Sequence, residues 1–490
     1  MRFIQSFVPP KQKSTSTGVI PALRGLTWLQ WAQFLSGWIA WTYDALDFFS
    51  VALTVNLLSK QFNQQVSAIT TAITLTLLFR SLGAVIFGVL SDRFGRKWPL
   101  VCNLLLCSSL SLGTSFVTTF PQFLAVRSLF GVAMGGVWGL ASSTALENLP
   151  VELRGLGSGI VQQGYALGYL IAAIINLTVV PYSSHSWRCL FWTASSVSFT
   201  TAIVRACIPE SAVFLRAKAI EREKGSNTTQ KTKIFLRETK EMLKTHWKLC
   251  IYAVLLMAGF NFMSHGSQDL YPTYLESSKG FSSHSATIAT IIGNCGAISG
   301  GAIAGYTSQY IGRRLTIVIC VLLVGSFIPL WIIPTSFAGL AAGAFCVQFG
   351  VQGAWGVIPI QLAEMSPPAF RATFPGVAYQ LGNMISAASA QIEATGAKHI
   401  RETVIVDGKP TSVADYATVQ GIFIGVVAAF VIVVTILGPE NHSSHFEQHK
   451  TAFEEGGGRD DAMLEGEEGE ESVGGSGHSI REVEGKKSGV

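Results

Sequence analysis

Apolar residues gather along this chain in runs of about twenty, separated by short polar stretches, and the alternation continues from residue 28 to residue 437. A helix needs about 20 residues to cross roughly 30 Å of hydrocarbon. The pattern therefore predicts twelve crossing helices, near 28–54, 67–90, 98–117, 122–145, 156–179, 188–208, 249–275, 285–308, 315–334, 337–362, 374–395 and 416–437. The first 26 residues hold Lys11, Lys13 and Arg24 among polar residues, without a short apolar region and small-residue cleavage site. The first span is thus expected to act as its own insertion signal.

The two halves of the pattern repeat. GAVIFGVLSDRFGRK from Gly83 aligns with GGAIAGYTSQYIGRR from Gly300, and ENLPVELRGLGSG from Glu147 aligns with EMSPPAFRATFPG from Glu364, both at an offset of 217 residues. The same offset carries Trp138 onto Trp355, Arg154 onto Arg371 and Gln163 onto Gln380. One register held through several helices points to a duplicated bundle of six plus six. The expected fold class is an all-α membrane protein with twelve transmembrane helices in two pseudo-symmetric six-helix bundles. The bundles are assigned to 27–208 and 249–437. A polar segment, 1–26, precedes them, and a hydrophilic loop over 209–248, helix-forming near 225–229, joins them. An acidic tail, 438–490, has too few apolar residues to bury a face and is expected to be disordered.

Composition agrees: 49% of the 490 residues are hydrophobic and 13% charged, too apolar a balance for a soluble globule of this size. Charge adds orientation. Arg93, Arg96, Lys97, Arg154, Arg313, Arg314 and Arg371 border the spans at one end, and the 209–248 loop adds many more bases. The opposite loops carry few, chiefly Lys398, Arg401 and Lys409. By the positive-inside bias both termini are expected in the cytoplasm. The net charge of +5 thus reports topology. Nucleic acid is excluded as a partner, because the bases border helices and lack interleaved aromatics. The eight cysteines show no zinc or redox spacing and are expected to be packing thiols.

Polar residues inside the spans carry the chemistry. The run NFMSHGSQDLYPT, Asn261 to Thr273, sets Asn261, His265 and Asp269 four and four apart on one helix face, where polar groups are expensive. Paired GxxxDRFGRK-like loops, the duplicated halves and PESAVF after span six resemble the major facilitator superfamily over nearly the whole chain. Asn261, Ser264, His265, Ser267, Gln268, Asp269 and Thr273 resemble the signature of the fungal Jen-type lactate and pyruvate permeases, which are carboxylate:proton symporters. The resemblance implies a carrier of short monocarboxylates, with dicarboxylates as the alternative, moving with protons across the plasma membrane. It also implies that spans one, four, seven and ten surround a central cavity, flanked by two, five, eight and eleven.

An anion in a low-dielectric centre needs a cation, and a planar guanidinium holds both carboxylate oxygens at once. Arg80, midway along span two, fits that role; a structural ion pair with Asp44 or Asp47 of span one is the competing reading, and the two can alternate between empty and loaded carrier. Arg127 of span four is divided between proton coupling and an interface contact. Coupling needs a group that changes protonation. His265 is the first choice, since histidine changes charge nearest working pH, with Asp269 one turn away to stabilise its cation. Asp44 and Asp47 are the alternative proton site, because a carboxyl in apolar surroundings takes up a proton more readily than in water. Asn261, Gln268, Gln380 and Asn383 offer uncharged contacts for a substrate hydroxyl or keto oxygen, with helix-to-helix bonding as the rival role. Tyr165 is a further candidate.

Asp92, Arg93, Arg96 and Lys97, with Arg313 and Arg314 in the second half, suit a cytoplasmic gate that breaks and remakes as the halves rock. Gln309 and Tyr310 replace Asp92 and Arg93 in the second half, so the gate is expected to be weaker there. No nucleophile with its base, no metal-ligand cluster and no strand before a glycine loop occurs, so neither an enzyme nor a cofactor or metal is expected. The expected partners are a small carboxylate, protons, membrane lipid and cytoplasmic regulators of the tail. A sugar carrier remains a rival, but a neutral sugar gives Arg80 no counter-charge. A non-transporting receptor signalling through its tail is the second rival.

Overall fold

Local capping chemistry starts several of the spans. Thr27 accepts from the backbone N–H of Gln30 while the Gln30 side chain accepts from the Thr27 N–H, a reciprocal cap for the first span. Ser282, Ser336 and Asp415 likewise accept from the N–H three residues on and open spans eight, ten and twelve. Gly95 and Gly312, related by the 217-residue offset, close spans two and eight in the positive-φ region that glycine tolerates.

The structure is a computed structural model that describes residues 19–210, 215, 228–367, 370, 373–406 and 409–439, without the side chains of 66, 67, 92, 228–232, 398, 404–411 and 413. The expected disordered tail lies beyond residue 439, outside the described residues. The elements are α1 (Val19–Arg24), α2 (Trp28–Leu53), α3 (Val55–Phe62), α4 (Val66–Phe94), α5 (Lys97–Phe116), α6 (Phe120–Met134), α7 (Val137–Leu146), α8 (Val151–Thr178) and α9 (Arg188–Cys207) in the first half. Then follow α10 (Thr228–Thr245), α11 (Trp247–Gln268), α12 (Tyr271–Ser277), α13 (Ser283–Ile311), α14 (Arg313–Ile332), α15 (Phe337–Met365), α16 (Thr373–Ser386), α17 (Ser389–His399), β1 (Arg401–Val406), β2 (Lys409–Ala414) and α18 (Tyr416–Leu437). Spans four, seven and eleven are each two helices: α6 with α7, α11 with α12, and α16 with α17. The other spans are single helices.

Two of the breaks have visible causes. At Gly135 and Gly136 span four crosses its neighbours so closely that a Cβ on Gly135 would overlap the carbonyl of Arg80, and one on Gly136 would meet Phe87 and Asn103. Pro272, which has no N–H to give, sits at the start of α12 and ends the helical run at Asp269. The duplication is visible in the packing as well. A Cβ at Gly83 would overlap the Val132 carbonyl, and one at Gly300 the Phe349 carbonyl, the same contact repeated 217 residues on.

Glycines also join the halves. Gly155 and Gly159 of span five pass against Gly301 and Gly305 of span eight with nothing between the backbones. Ser81 Oγ donates to the Gln380 carbonyl (2.9 Å) between spans two and eleven. Large apolar side chains such as Leu82, Val85, Leu322 and Val426 are left facing outwards, as a lipid-embedded bundle requires. Among the described residues nine helical segments are long and apolar enough to cross a membrane; spans one, six and eleven fall short because they carry polar residues or a break.

Two features depart from expectation. β1 and β2 pair antiparallel from Arg401↔Ala414 to Val406↔Lys409, a small hairpin in a fold expected to be helical throughout. The joining loop holds a helix, α10, that begins at Thr228 inside the patch expected near 225–229 and runs well beyond it; it turns Phe235, Glu238 and Met242 inward, with Phe235 6.2 Å from the Phe370 ring, and leaves Leu236 and Leu243 exposed.

Candidate transport site

Two arginine–aspartate pairs occupy the interior of the first half. Arg80 Nη2 donates to Asp44 Oδ2 at 2.6 Å, and Arg127 Nη1 to Asp47 Oδ1 at 2.6 Å, with every member at most 1% exposed. The pairing is thus resolved: Asp44 belongs to Arg80 and Asp47 to Arg127. Ser111 Oγ adds a hydrogen bond to Asp47 Oδ2, and the Arg127 guanidinium lies 4.2 Å from the Phe130 ring centre. The Arg80–Asp44 pair is less complete. Nε lacks a partner on both arginines, but Asp44 Oδ1 lacks one as well while both Asp47 oxygens are bonded, so the Arg80 guanidinium keeps donors for another anion beside a carboxylate that is only half bonded.

Phe48 separates this pair from the second half. Its ring lies 5.8 Å from the Arg80 guanidinium on one side and 5.7 Å, edge to face, from the His265 imidazole on the other. The duplication places Phe48 opposite His265 and Asp44 opposite Asn261, so the two halves put a charged pair and an imidazole at equivalent depths.

His265 is bonded at both ring nitrogens. Nδ1 stands 3.0 Å from Asp269 Oδ2 and Nε2 3.2 Å from Asn383 Oδ1. Asn383 Nδ2 donates to Gln380 Oε1 (2.8 Å), and Gln380 Nε2 donates to the Gly135 carbonyl of the first half (3.3 Å). All four side chains are 4% exposed or less. The shared face expected for His265 and Asp269, and for Gln380 and Asn383, is therefore one connected chain.

The remaining candidates are spent on helix packing. Asn261 does not join His265: its amide donates to the Met257 and Tyr379 carbonyls at 2.9 and 3.4 Å, because Asp269, one turn beyond, already takes Nδ1. Gln268 donates to Gln348 Oε1 (2.7 Å) and accepts from Ser264, tying spans seven and ten. Tyr165 stacks on Trp41 at 5.5 Å and meets Phe49 edge-on. Trp41, Trp138 and Trp355 close on the Tyr379 ring at 6.1, 4.5 and 5.6 Å, an aromatic plug one turn from Asn383. On the other side lies a cavity of about 20 Å³ bordered by Tyr169, Gln268, Tyr271, Asn294, Trp331 and Gln348, room for about one water.

The gate residues divide. Arg96 meets Glu147 through one oxygen (2.8 and 3.3 Å), and Arg313, its duplicate, meets Glu364 through both (3.1 Å each). Arg313 also donates to Ser308 and to Gln309, whose amide reaches the Val151 carbonyl across the halves. Of these two described pairs, the one in the second half is the more buried. The second-half pair is bidentate and 2–4% exposed, against 14–17% for the first, and Gln309 adds an acceptor to it. Arg314 donates to the Thr435 and Ile436 carbonyls and so caps the end of span twelve. Lys97 uses its backbone N–H on Glu210, Arg93 lies over Phe94, and the Asp92 side chain is outside the described residues. Glu364→Gln, which removes the counter-charge of a buried guanidinium, is expected to destabilise the protein in detergent by about 3 kcal/mol against about 1 for Glu147→Gln, read as the larger fall in unfolding temperature.

Five residues that the sequence pattern did not single out contribute here. Glu147 and Glu364 already stood in the repeat alignment as an offset pair. Gln348 and Gln352 share one face of span ten with Trp355, and Gln352, 2% exposed, has neither amide atom bonded. Glu393 of span eleven is wholly buried, accepting from Gln420 Nε2 (2.9 Å). All eight cysteines are free thiols, and Cys107 and Cys320 are buried.

Residues 17–453 match the family described as sugar (and other) transporters. The carboxylic acid transporter protein homolog of Saccharomyces cerevisiae is 36% identical over 436 residues, 86% of this chain and 70% of its own length. The cis,cis-muconate transport protein of Acinetobacter baylyi is 25% identical over 355 residues, 72% and 84% of the two chains. Among solved structures, the xylose transporter XylE from E. coli, in a partially occluded inward-open conformation, superposes with a TM-score of 0.64 at 18% identity, covering 86% of this chain and 100% of that one; this likeness bears on the fold alone. Twelve spans in two repeated halves, the family match and the yeast relative together place this chain in the sugar (and other) transporter family of the major facilitator superfamily, as a multi-pass secondary transporter beside the carboxylic acid transporters.

Proposed function

We propose that the protein carries short-chain monocarboxylates such as lactate, pyruvate and acetate together with protons, by alternating access, across the plasma membrane with both termini in the cytoplasm. The observation that carries this reading is the buried Arg80–Asp44 pair, joined through one nitrogen, with both Arg80 Nε and Asp44 Oδ1 unpartnered. A substrate carboxylate that displaces Asp44 from Nη2 can take the Nε–Nη2 edge with both oxygens, so that a charge pair is exchanged and not created in the low-dielectric centre. His265 and Asp269, across Phe48, accept the accompanying proton. Gln352 offers a donor and an acceptor for the 2-hydroxyl or keto oxygen, a role that Asn261 and Gln268, already bonded elsewhere, do not fill.

The name of the yeast relative supports the substrate class, and the basic residues at one end of the spans support the orientation. Competition for labelled lactate uptake in proteoliposomes tests the reading. Pyruvate and acetate are expected to compete and glucose to have no effect. Succinate competing best would move the assignment to dicarboxylates, and glucose competing best would move it to sugars.

A further inference from the structure

The donor and acceptor order around His265 is set from outside the pair. A backbone carbonyl can only accept, so the Gln380 amide must donate to the Gly135 oxygen, and its own oxygen is left facing Asn383. Asn383 meets that oxygen with its NH2 and turns its own oxygen to His265 Nε2, which must therefore carry a hydrogen. Nδ1, 3.0 Å from the Asp269 carboxyl, must also share a proton with it, because two bare lone pairs do not face each other at that distance. The chain so ordered holds one proton more than a neutral imidazole beside an ionised carboxylate.

We infer that this four-residue chain couples protonation to the movement of the halves: the order that bonds Gln380 to Gly135 belongs to the proton-loaded carrier, and loss of the proton reverses it. This rests on the proton-coupled reading above. When the proton leaves to solvent, the one remaining imidazole hydrogen pairs Nδ1 with Asp269 and leaves Nε2 bare. Only an NH2 group can meet a bare nitrogen, so Asn383 turns over and offers its oxygen to Gln380. Gln380 turns in response and brings its own oxygen to the Gly135 carbonyl. Two acceptors cannot bond, and span eleven is released from span four. The proton-loaded, empty carrier is thus held together across the halves, which keeps protons from crossing without an acid.

Other groups around the chain do not interrupt it. Tyr165 and Tyr169 of span five and Glu393 of span eleven lie within electrostatic reach of Asp269, and the Tyr379 hydroxyl is in hydrogen-bonding reach of Asn383, whose second amide N–H can serve it without giving up Gln380. Arg80 and Asp44 are separated from the imidazole by the Phe48 ring. Glu393 spends its oxygens on Gln420 and Ser389.

The test is Gln380→Met, which keeps the length of the side chain and removes both bonding atoms, studied in proteoliposomes loaded with a pH dye. Two rates are taken from the same vesicles: proton entry under a gradient without acid, and exchange of labelled for unlabelled lactate. The ratio of leak to exchange is expected to rise about three- to tenfold, the rate equivalent of one hydrogen bond. Gln380→Asn, whose amide is drawn back from Gly135, is expected to do the same and serves if the Met variant does not exchange. A ratio equal to wild type in an exchanging variant overturns the relay. A wild type that exchanges no acid overturns instead the function on which it rests.

Discussion

Arg80→Lys is expected to reach the membrane in normal amount and to lose carboxylate uptake by about tenfold or more. Arg80 holds Asp44 through a single nitrogen at 2.6 Å, a contact that an ammonium can reproduce, so the empty protein tolerates lysine. Holding a carboxylate by both oxygens requires the planar fork, and lysine has none. Arg80→Gln is expected to behave differently. It leaves Asp44 buried without a counter-charge, at a cost of about 3–5 kcal/mol, and should be seen first as a lowered unfolding temperature and reduced yield. Adding Asp44→Asn removes the stranded charge and should restore the yield without restoring uptake. Initial rates normalised to protein in the vesicle separate these outcomes. A fully active Lys variant refutes two-oxygen recognition.

His265→Ala is expected to abolish accumulation driven by a pH gradient. One pH unit acting on one proton is worth about 1.4 kcal/mol, so coupled uptake sustains about tenfold accumulation per unit. The sign follows from the proposed direction of coupling: acidifying the outside loads the pair and raises uptake. Undissociated acid also crosses lipid, so protein-free liposomes set the baseline to which the Ala variant should fall. Asp269→Asn, which keeps the shape but cannot share the extra proton with Nδ1, should show the same loss. Retention of gradient-driven accumulation by His265→Ala would transfer the proton role to Asp44 and Asp47.

Much of the architecture could be read from the chain because hydrocarbon enforces it. The first span, expected over 28–54, is Trp28–Leu53, and the last, expected over 416–437, is Tyr416–Leu437. The helix breaks were less legible. Gly135–Gly136 and Pro272 mark two of them, but the break between Ser386 and Ser389 lies among residues that favour no interruption. The hairpin had a signal in ThrValIleVal followed by AspGly at 403–408, which an all-helical expectation set aside.

In the site, periodicity brought His265 together with Asp269 and Gln380 with Asn383. It could not say that the two sets touch each other, because that depends on how spans seven and eleven cross. For the same reason Asp44 and Asp47 were interchangeable partners until the helices were in place. At the gate, the loop motif pointed to Arg96 and Arg313 but not to their partners, Glu147 and Glu364, which lie at the far ends of spans four and ten and meet them only once the helices are packed.

The measurement closest to the central claim is initial uptake of labelled lactate into proteoliposomes under an imposed inward proton gradient, with internal pH followed in the same vesicles. Saturable uptake is expected, rising as the exterior is acidified, with at least one proton entering per acid above the protein-free level. Saturable entry of glucose in its place, or lactate uptake indifferent to the gradient and equal to that of bare liposomes, would contradict it.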